Sequence, residues 1–346
     1  MRSVATASVG IKDVAAAAGV SVGTVSNVLN RPELVAEPTR QRVQAAISTL
    51  GFIRNESGRQ LRAGKSRTIA YVVLNASNPF FIDVAKGVDE AARACGLALF
   101  LCNSDGDPAR ESDYLELLVH HRVRGALLSP VGDTTPALEV MERHGVPLVL
   151  VDRRVGARGC SVGVDDVEGG ALAVTHLLEQ GHERIAFVGG PASVVHVADR
   201  LTGARQAMRA SGRQQDDLVV IETAALDAGE GRRAGDVLVN VPRTRRATAA
   251  FCANDVLALG LLQGMAHRGV EVPGDLAIVG YDDIEFAATA TTPLSSVRQP
   301  RDLIGRTAAE LLIAETEADT SHVHQEVLFH PELVVRASSD TGGGTV

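Results

Sequence analysis

Residues 11–30, IKDVAAAAGVSVGTVSNVLN, read as two short helices joined by a tight turn. In the first half Ile11, Val14 and Ala18 fall on one face and Gly19 ends the run. Ser21 then supplies an N-cap, and Val25, Val28 and Leu29 form the next apolar face. A third segment, TRQRVQAAISTLG, starts at Thr39, sets Val43, Ile47 and Leu50 at i, i+4 and i+7, and stops at Gly51. Two helices across a glycine-containing turn with a third in support make a helix-turn-helix, whose second helix suits the major groove of double-stranded DNA. A small helical bundle with no nucleic-acid partner would show the same pattern, so the rest of the chain has to decide.

Charge favours the DNA reading. The 346-residue chain carries a net charge of -8, yet residues 1–67 hold ten Lys or Arg against four Asp or Glu, while the remainder holds 24 against 38. A basic module attached to an acidic body fits a DNA-facing headpiece on a domain that avoids DNA. Hydrophobic residues at 45% and charged residues at 22% are ordinary for globular chains, and the length suffices for two or three domains. No stretch has the apolar length of a membrane span, and MRSVATASVGIKDV lacks the apolar run of a secretory signal, so a cytoplasmic protein is expected. Cys95, Cys102, Cys160 and Cys252 sit in apolar stretches without C-x-x-C spacing and read as buried free thiols, with no metal and no cofactor expected.

From residue 68 apolar strands alternate with helices. TIAYVVL, LALFLC, VRGALLS and PLVLVD form one series; SVGV, RIAFVG, LVVIET, ATAAFCA and LAIVG form another. Near-continuous apolar strands of this kind build parallel sheets covered on both faces, so two doubly wound α/β subdomains are expected beside an all-α headpiece. Ligands of such sheets bind beyond the carboxyl ends of the strands, which directs SNPFF, VDRR, GGPAS, CAND and GYDD to one cleft. Between headpiece and core, residues 54–67 read either as a linker or as a short helix that forms conditionally, with Asn55 as N-cap and Leu61 isolated among polar residues.

Taken together, IKDVAAAAGVSVGTVSNVLN, NESGRQLRAG, SNPFF, GHERIAFVGGP, DRLTG, FCANDVLALG and VGYDD resemble the LacI/GalR family of bacterial repressors, in order and spacing and over nearly the whole chain. The resemblance implies a headpiece (1–53), a hinge helix (54–67) and a core resembling periplasmic sugar-binding proteins (68–340); the end of SSDTGGGTV beyond Ser338, residues 341–346, reads from its composition as a disordered tail. Three chain crossings would place residues 68–162 and 297–325 in one core subdomain and 163–296 and 326–340 in the other.

It further implies that Ser21, Val22 and Gly23 lie at the tip of the recognition helix, with Ser26, Asn27 and Asn30 one turn on; Ile11, Thr24 and Thr39 complete the DNA-facing set. Asn27, where many members carry Arg, would bond N6 and N7 of adenine. Leu61 would be a minor-groove wedge, and Asn55, Arg59 and Arg62 would contact DNA beside it. Arg54 and Gly58 depart from the Pro and Ala that many members have. A near-palindromic operator read by two headpieces requires a homodimer, or a higher assembly.

Carboxylates and amides beside an aromatic wall suit a polyhydroxylated effector. The expected set is Asn78, Phe80, Phe81, Asp152, Arg153, His196, Arg200, Phe251, Asn254 and Asp282, with Arg200, in DRLTG, read either as a ligand contact or as an interdomain ion pair. His196 reads as a rim or structural histidine, without metal-ligand spacing around it. The family's purine-binding branch has an Arg shortly after GP where this chain has Val194, which favours a sugar; a purine or a protein effector stays as the alternative. A sugar-transport protein would need export. An enzyme is opposed by the lack of a P-loop, of G-x-S-x-G and of H-E-x-x-H, and no catalytic residue is assigned. Whether the effector releases or promotes DNA binding stays open.

Overall fold

The computed structural model describes residues 9–52, 66–153, 158–191, 193–317 and 322–340, divided into a unit within residues 1–65 and another within 66–346. In the first unit α1 (Ile11–Ala18), α2 (Val22–Asn30) and α3 (Glu37–Leu50) surround Val14, Ala15, Ala18, Val25, Val28, Val43 and Ala46. Gly19 ends α1 at φ 64°, and the Ser21 hydroxyl caps α2 by accepting the Thr24 N–H at 3.0 Å. Helix α3 begins at Glu37 rather than at Thr39. Pro38 in its first turn lacks only an N–H that no helix would have used there, so it starts the helix instead of preceding it. The hinge residues Asn55, Arg59, Leu61 and Arg62 and the tail 341–346 lie outside the described residues.

The second unit contains two six-stranded sheets. Chain order in the first part is β1 (Thr68–Val73), α4 (Pro79–Ala94), β2 (Ala98–Asn103), α5 (Pro108–His120), β3 (Ala126–Leu128), α6 (Thr135–Arg143), β4 (Leu148–Val151) and β5 (Cys160–Val164). There follow α7 (Asp166–Glu179), β6 (Ile185–Val188), α8 (Val195–Ala210), β7 (Leu218–Ile221), α9 (Ala228–Asn240), β8 (Ala249–Cys252), α10 (Asp255–His267) and β9 (Ala277–Asp282). The chain closes with α11 (Glu285–Thr289), β10 (Ser295–Arg298), α12 (Arg301–Glu317), β11 (Glu326–Phe329) and β12 (Glu332–Val334).

Sheet one runs β11-β5-β4-β3-β1-β2, with every pair parallel. Sheet two runs β12-β10-β9-β8-β6-β7, parallel except where β12 meets β10. The chain crosses between sheets after β5, after β10 and after β11. All three crossings lie a few residues later than the sequence suggested. Gly163 and Val164 remain in β5, and Val297 and Arg298 complete β10 beside Tyr281 and Asp282. Glu326–Phe329 belongs to sheet one, because its ladder runs along Ser161–Val164. Ser338 and Ser339 are fully buried, and the Ser338 hydroxyl donates to the Ile278 carbonyl, which ties the last described residues to sheet two. Cys95 is exposed at the end of α4, contrary to the expectation that all four thiols are buried. Among the described residues no helix is long and apolar enough to cross a membrane.

Among the described residues every parallel strand except β4 and β11 hands over to a helix at its carboxyl end, and polar caps cluster there. Asn78, Asp107, Asp165, Asp227 and Asn254 each accept an N–H from the first turn of the following helix. This arrangement places amide and carboxylate side chains at the mouth between the sheets.

Candidate functional site

On the headpiece the outward face of α2 presents Ser21, Val22, Gly23, Asn27 and Asn30. Several of these are already engaged. The Ser21 and Thr24 hydroxyls lie 2.9 Å apart, and Asn30 Nδ2 donates back to the Ser26 carbonyl at 2.8 Å and to its hydroxyl at 3.2 Å. The Asn27 side chain makes no hydrogen bond among the described residues, so both its donor and its acceptor remain to be matched. Ile11 packs against the headpiece core, and the half-buried Thr39 accepts from Arg42 at 3.5 Å.

In the core, a cleft of about 210 Å³ opens at the carboxyl ends of the strands. Eight of the ten expected effector residues line it: Asn78, Phe80, Phe81, Asp152, His196, Arg200, Asn254 and Asp282. The other two do not. Phe251 is fully buried, edge-on to Phe187 at 5.5 Å, because it sits inside β8 rather than beyond its end. Arg153 is not among the lining residues, although its charge acts on His196.

Two polar pairs bridge the cleft. Asn78, which caps α4 through its carbonyl oxygen, donates its amide to Asp282 at the end of β9, at 3.0 Å. His196 Nδ1, in the first turn of α8, lies 3.4 Å from Asp152 Oδ2 at the end of β4. Each pair joins one sheet's element to the other's. Asp105, Asp152 and Asp282 all carry positive φ, at 57°, 61° and 106°, so the chain holds unfavourable backbone geometry where these carboxylates enter the cleft.

Arg200 is 2% exposed and belongs wholly to the second subdomain. Its Nε donates to Asp166 at 2.7 Å and its Nη1 to the Ala253 carbonyl at 2.6 Å, while its guanidinium carbon stands 3.6 Å above the Tyr281 ring. Burial opposes its charge, but Asp166, Tyr281, Asp282 and Asp152 more than restore it. Asp282 accepts Gln299 at 2.8 Å in addition to Asn78, and burial nonetheless raises its carboxyl to about 6. Burial, then the Arg200 charge, holds His196 down to about 3.

These shifts have opposite consequences for stability. Between pH 6.5 and about 3 the unfolded imidazole binds a proton that folded His196 refuses, so its contribution is lost as pH falls. Between about 6 and 3.8 folded Asp282 keeps a proton that the unfolded carboxyl has released, so its contribution is gained as pH falls. His196→Gln removes only the first. The variant is expected to gain on the parent by up to about 1.4 kcal/mol per unit as pH drops from 6.5 to 5 in urea titrations. A difference between the two proteins that stays flat with pH would contradict the buried neutral imidazole.

Ser193, directed to the cleft as part of GGPAS, lines it; sequence reasoning missed Asn75, Asp105, Val131 and Leu226, which also line it. Asp105, Val131 and Leu226 follow β2, β3 and β7, whose ends had not been taken as part of the site. Applying the same strand-end rule to every strand would have found them.

The family described as bacterial regulatory proteins, lacI family, matches residues 10–55, and the periplasmic binding protein-like domain matches residues 174–339. The chain is 34% identical over 330 residues to the HTH-type transcriptional repressor PurR of Aliivibrio fischeri (strain MJ11), covering 95% of this chain and 97% of that protein. The transcriptional regulator CelR–cellobiose complex superposes with a TM-score of 0.70 at 31% identity, over 95% of this chain and 99% of the other. The Lac repressor dimer bound to operator and the anti-inducer ONPF gives 0.83 at 26%, over 96% and 99%. Helix-turn-helix, paired six-stranded sheets and full-length similarity agree: the chain belongs to the LacI family of DNA-binding transcriptional repressors.

Proposed function

We propose that the chain represses transcription by binding a near-palindromic operator as a homodimer, and that one small polyhydroxylated metabolite, a sugar or sugar derivative, sets its affinity for DNA from the cleft. The observation that carries this reading is the pair of cross-cleft contacts, Asn78 with Asp282 and Asp152 with His196. A ligand whose hydroxyls compete for these groups binds differently to the open and closed arrangements, and only such a difference can shift the balance between them. Sugar hydroxyls suit amide and carboxylate partners, and Phe80 and Phe81 offer an apolar wall. The cleft is below the ~300–1,000 Å³ of drug-sized sites, which favours one ring over several. Cellobiose in the related CelR complex supports the sugar class. Val194 in the cleft wall offers a purine no hydrogen bond. In this reading the cleft binds without turnover, and the protein works at the nucleoid.

A thermal-shift panel of pentoses, hexoses, nucleosides and phosphorylated sugars tests the effector. A rise in Tm confined to sugars is expected; a rise with nucleosides alone, or with nothing in the panel, would remove the sugar reading. Fluorescence anisotropy on a selected operator, with and without the best ligand, then gives the sign of regulation. On the DNA side, Asn27→Ala is expected to lose about 1–3 kcal/mol of preference for adenine at one position in each half-site. Unchanged preference at every position would exclude Asn27 from base reading.

A further inference from the structure

Away from the cleft, at the amino-terminal edge of sheet one, three segments bring together four side chains that the cleft does not use. Cys160 opens β5, Glu315 lies in the last turn of α12, and His322 and His324 precede β11. Their donor atoms all lie within 4.8 Å of one another. Cys160 Sγ stands 3.1 Å from His322 Nε2 and 3.9 Å from His324 Nδ1, and His322 Nε2 stands 3.8 Å from Glu315 Oε2. Four ligands at ordinary zinc distances sit roughly 3.3–3.6 Å apart, so the three pairs above are close to that spacing, and the widest separation, at most 4.8 Å, must close by about 1 Å to complete a tetrahedron.

A second observation points the same way. Glu315 Oε2 is buried yet has no hydrogen-bond partner, although an orphaned buried carboxylate oxygen is costly. The Cys160 thiol beside it is buried as well. The neighbours of the Glu315 oxygen are the Cys160 thiol and, at 3.8 Å, His322 Nε2, the same groups that would share an ion with it. His324 is exposed and, with His322, Glu315 and Arg158, lines a pocket through which an ion could enter.

We infer that Cys160, Glu315, His322 and His324 form a binding site for a divalent transition-metal ion of the zinc class, pinning the segment that leads into β11 against β5 and the end of α12. One thiolate and two imidazoles select this class over magnesium or calcium, which take oxygen ligands.

The test uses the full chain, stripped with a chelator and titrated with Co²⁺ and then Zn²⁺. One equivalent of Co²⁺ per chain is expected, with a thiolate-to-cobalt charge-transfer band and the intense visible bands of a four-coordinate ion, both bleached by Zn²⁺. Cys160→Ser removes the charge-transfer band. Because burial of Cys160 exposes that variant to misfolding, His324→Ala, at an exposed position, provides the second arm. Its Zn²⁺ affinity, measured against a chromophoric chelator, is expected to fall by more than the ~10–100-fold that loss of an outer-shell partner costs. Cys95→Ser, which alters the exposed thiol elsewhere, should keep the band. The site is overturned if the folded parent shows no charge-transfer band, if His324→Ala binds Zn²⁺ like the parent, or if Cys95→Ser abolishes the band.

Discussion

Arg200→Ala is expected to lower the unfolding free energy of the core by about 3–5 kcal/mol, enough to remove much of the margin of an ordinary domain. Its ion pair with Asp166 is buried at both ends, with side chains 3% and 7% exposed. Removing the guanidinium leaves a carboxylate in a dry environment, where burial already raises its pKa and Arg200 is the leading group opposing that rise. The Ala253 carbonyl loses its donor and Tyr281 its cation at the same time. Little relaxation is available, because α7 and α8 touch backbone to backbone. A Cβ on Gly170 would stand 2.0 Å from the Arg200 carbonyl oxygen, and one on Gly203 1.9 Å from that of Val167. Water therefore cannot enter readily to solvate Asp166. Combining Arg200→Met with Asp166→Leu removes both charges and should recover part of the loss, since Asp166 is then no longer a stranded carboxylate and the Ala253 carbonyl is the partner left without its donor. Urea titration of the three proteins measures this. A loss below about 1 kcal/mol for Arg200→Ala would show the pair to be solvated, unlike an isolated buried pair.

The same residue shows how far the sequence could be read. Its place in DRLTG marked it as part of the effector region, but nothing in the neighbouring letters revealed that Asp166, 34 positions earlier, would neutralise it. Contacts made by sheet topology are invisible to spacing. Cys160 and His322 are 162 positions apart and meet only because β11 returns to lie beside β5, so no metal-ligand pattern was apparent. The nine strands read from the sequence are apolar runs, seven of them buried almost throughout; β2 and β7 keep the apolar pattern although they are partly exposed. The three that escaped, SSVR, EVLF and ELV, are short, and EVLF and ELV are only partly buried, so they lack that signature. Phe251 was misassigned because an aromatic near a site attracts a ligand role; its place inside a strand, with Cys252, Ala253 and Asn254 still to come before the helix, already argued for the core. The headpiece was legible almost in full, since its helices are local and carry their own caps.

The largest functional effect is expected from Asp282→Asn, which changes one atom type and leaves the shape. Asp282 sits at φ 106°, a conformation that Asn tolerates better than most residues, so the backbone is retained. The chemistry is not. The carboxylate uses one oxygen for Asn78 and the other for Gln299, and both partners donate N–H groups. An amide has a single oxygen, so one donor must face the new NH₂ group and the contact across the cleft or the one at the crossover is lost. A hydrogen bond to a charged group is worth about 1.5–3 kcal/mol, which corresponds to roughly a 10–150-fold weaker effector if the ligand depends on this carboxylate. Because Asn78 belongs to one subdomain and Asp282 to the other, the substitution also weakens the discrimination between open and closed cores. The ratio of operator affinities with and without saturating effector is expected to fall towards 1, from within the usual range of about 5–150-fold, whichever sign the regulation has. A pH series separates this effect from general damage. In the parent the Asp282 carboxyl takes up a proton near pH 6, so effector affinity declines as pH drops through that value, whereas the Asn variant should be flat there. Equal effector affinity and an unchanged ratio in Asp282→Asn would mean that the ligand is held, and the core switched, by groups on the opposite wall, with the Asp152–His196 pair then carrying the coupling alone.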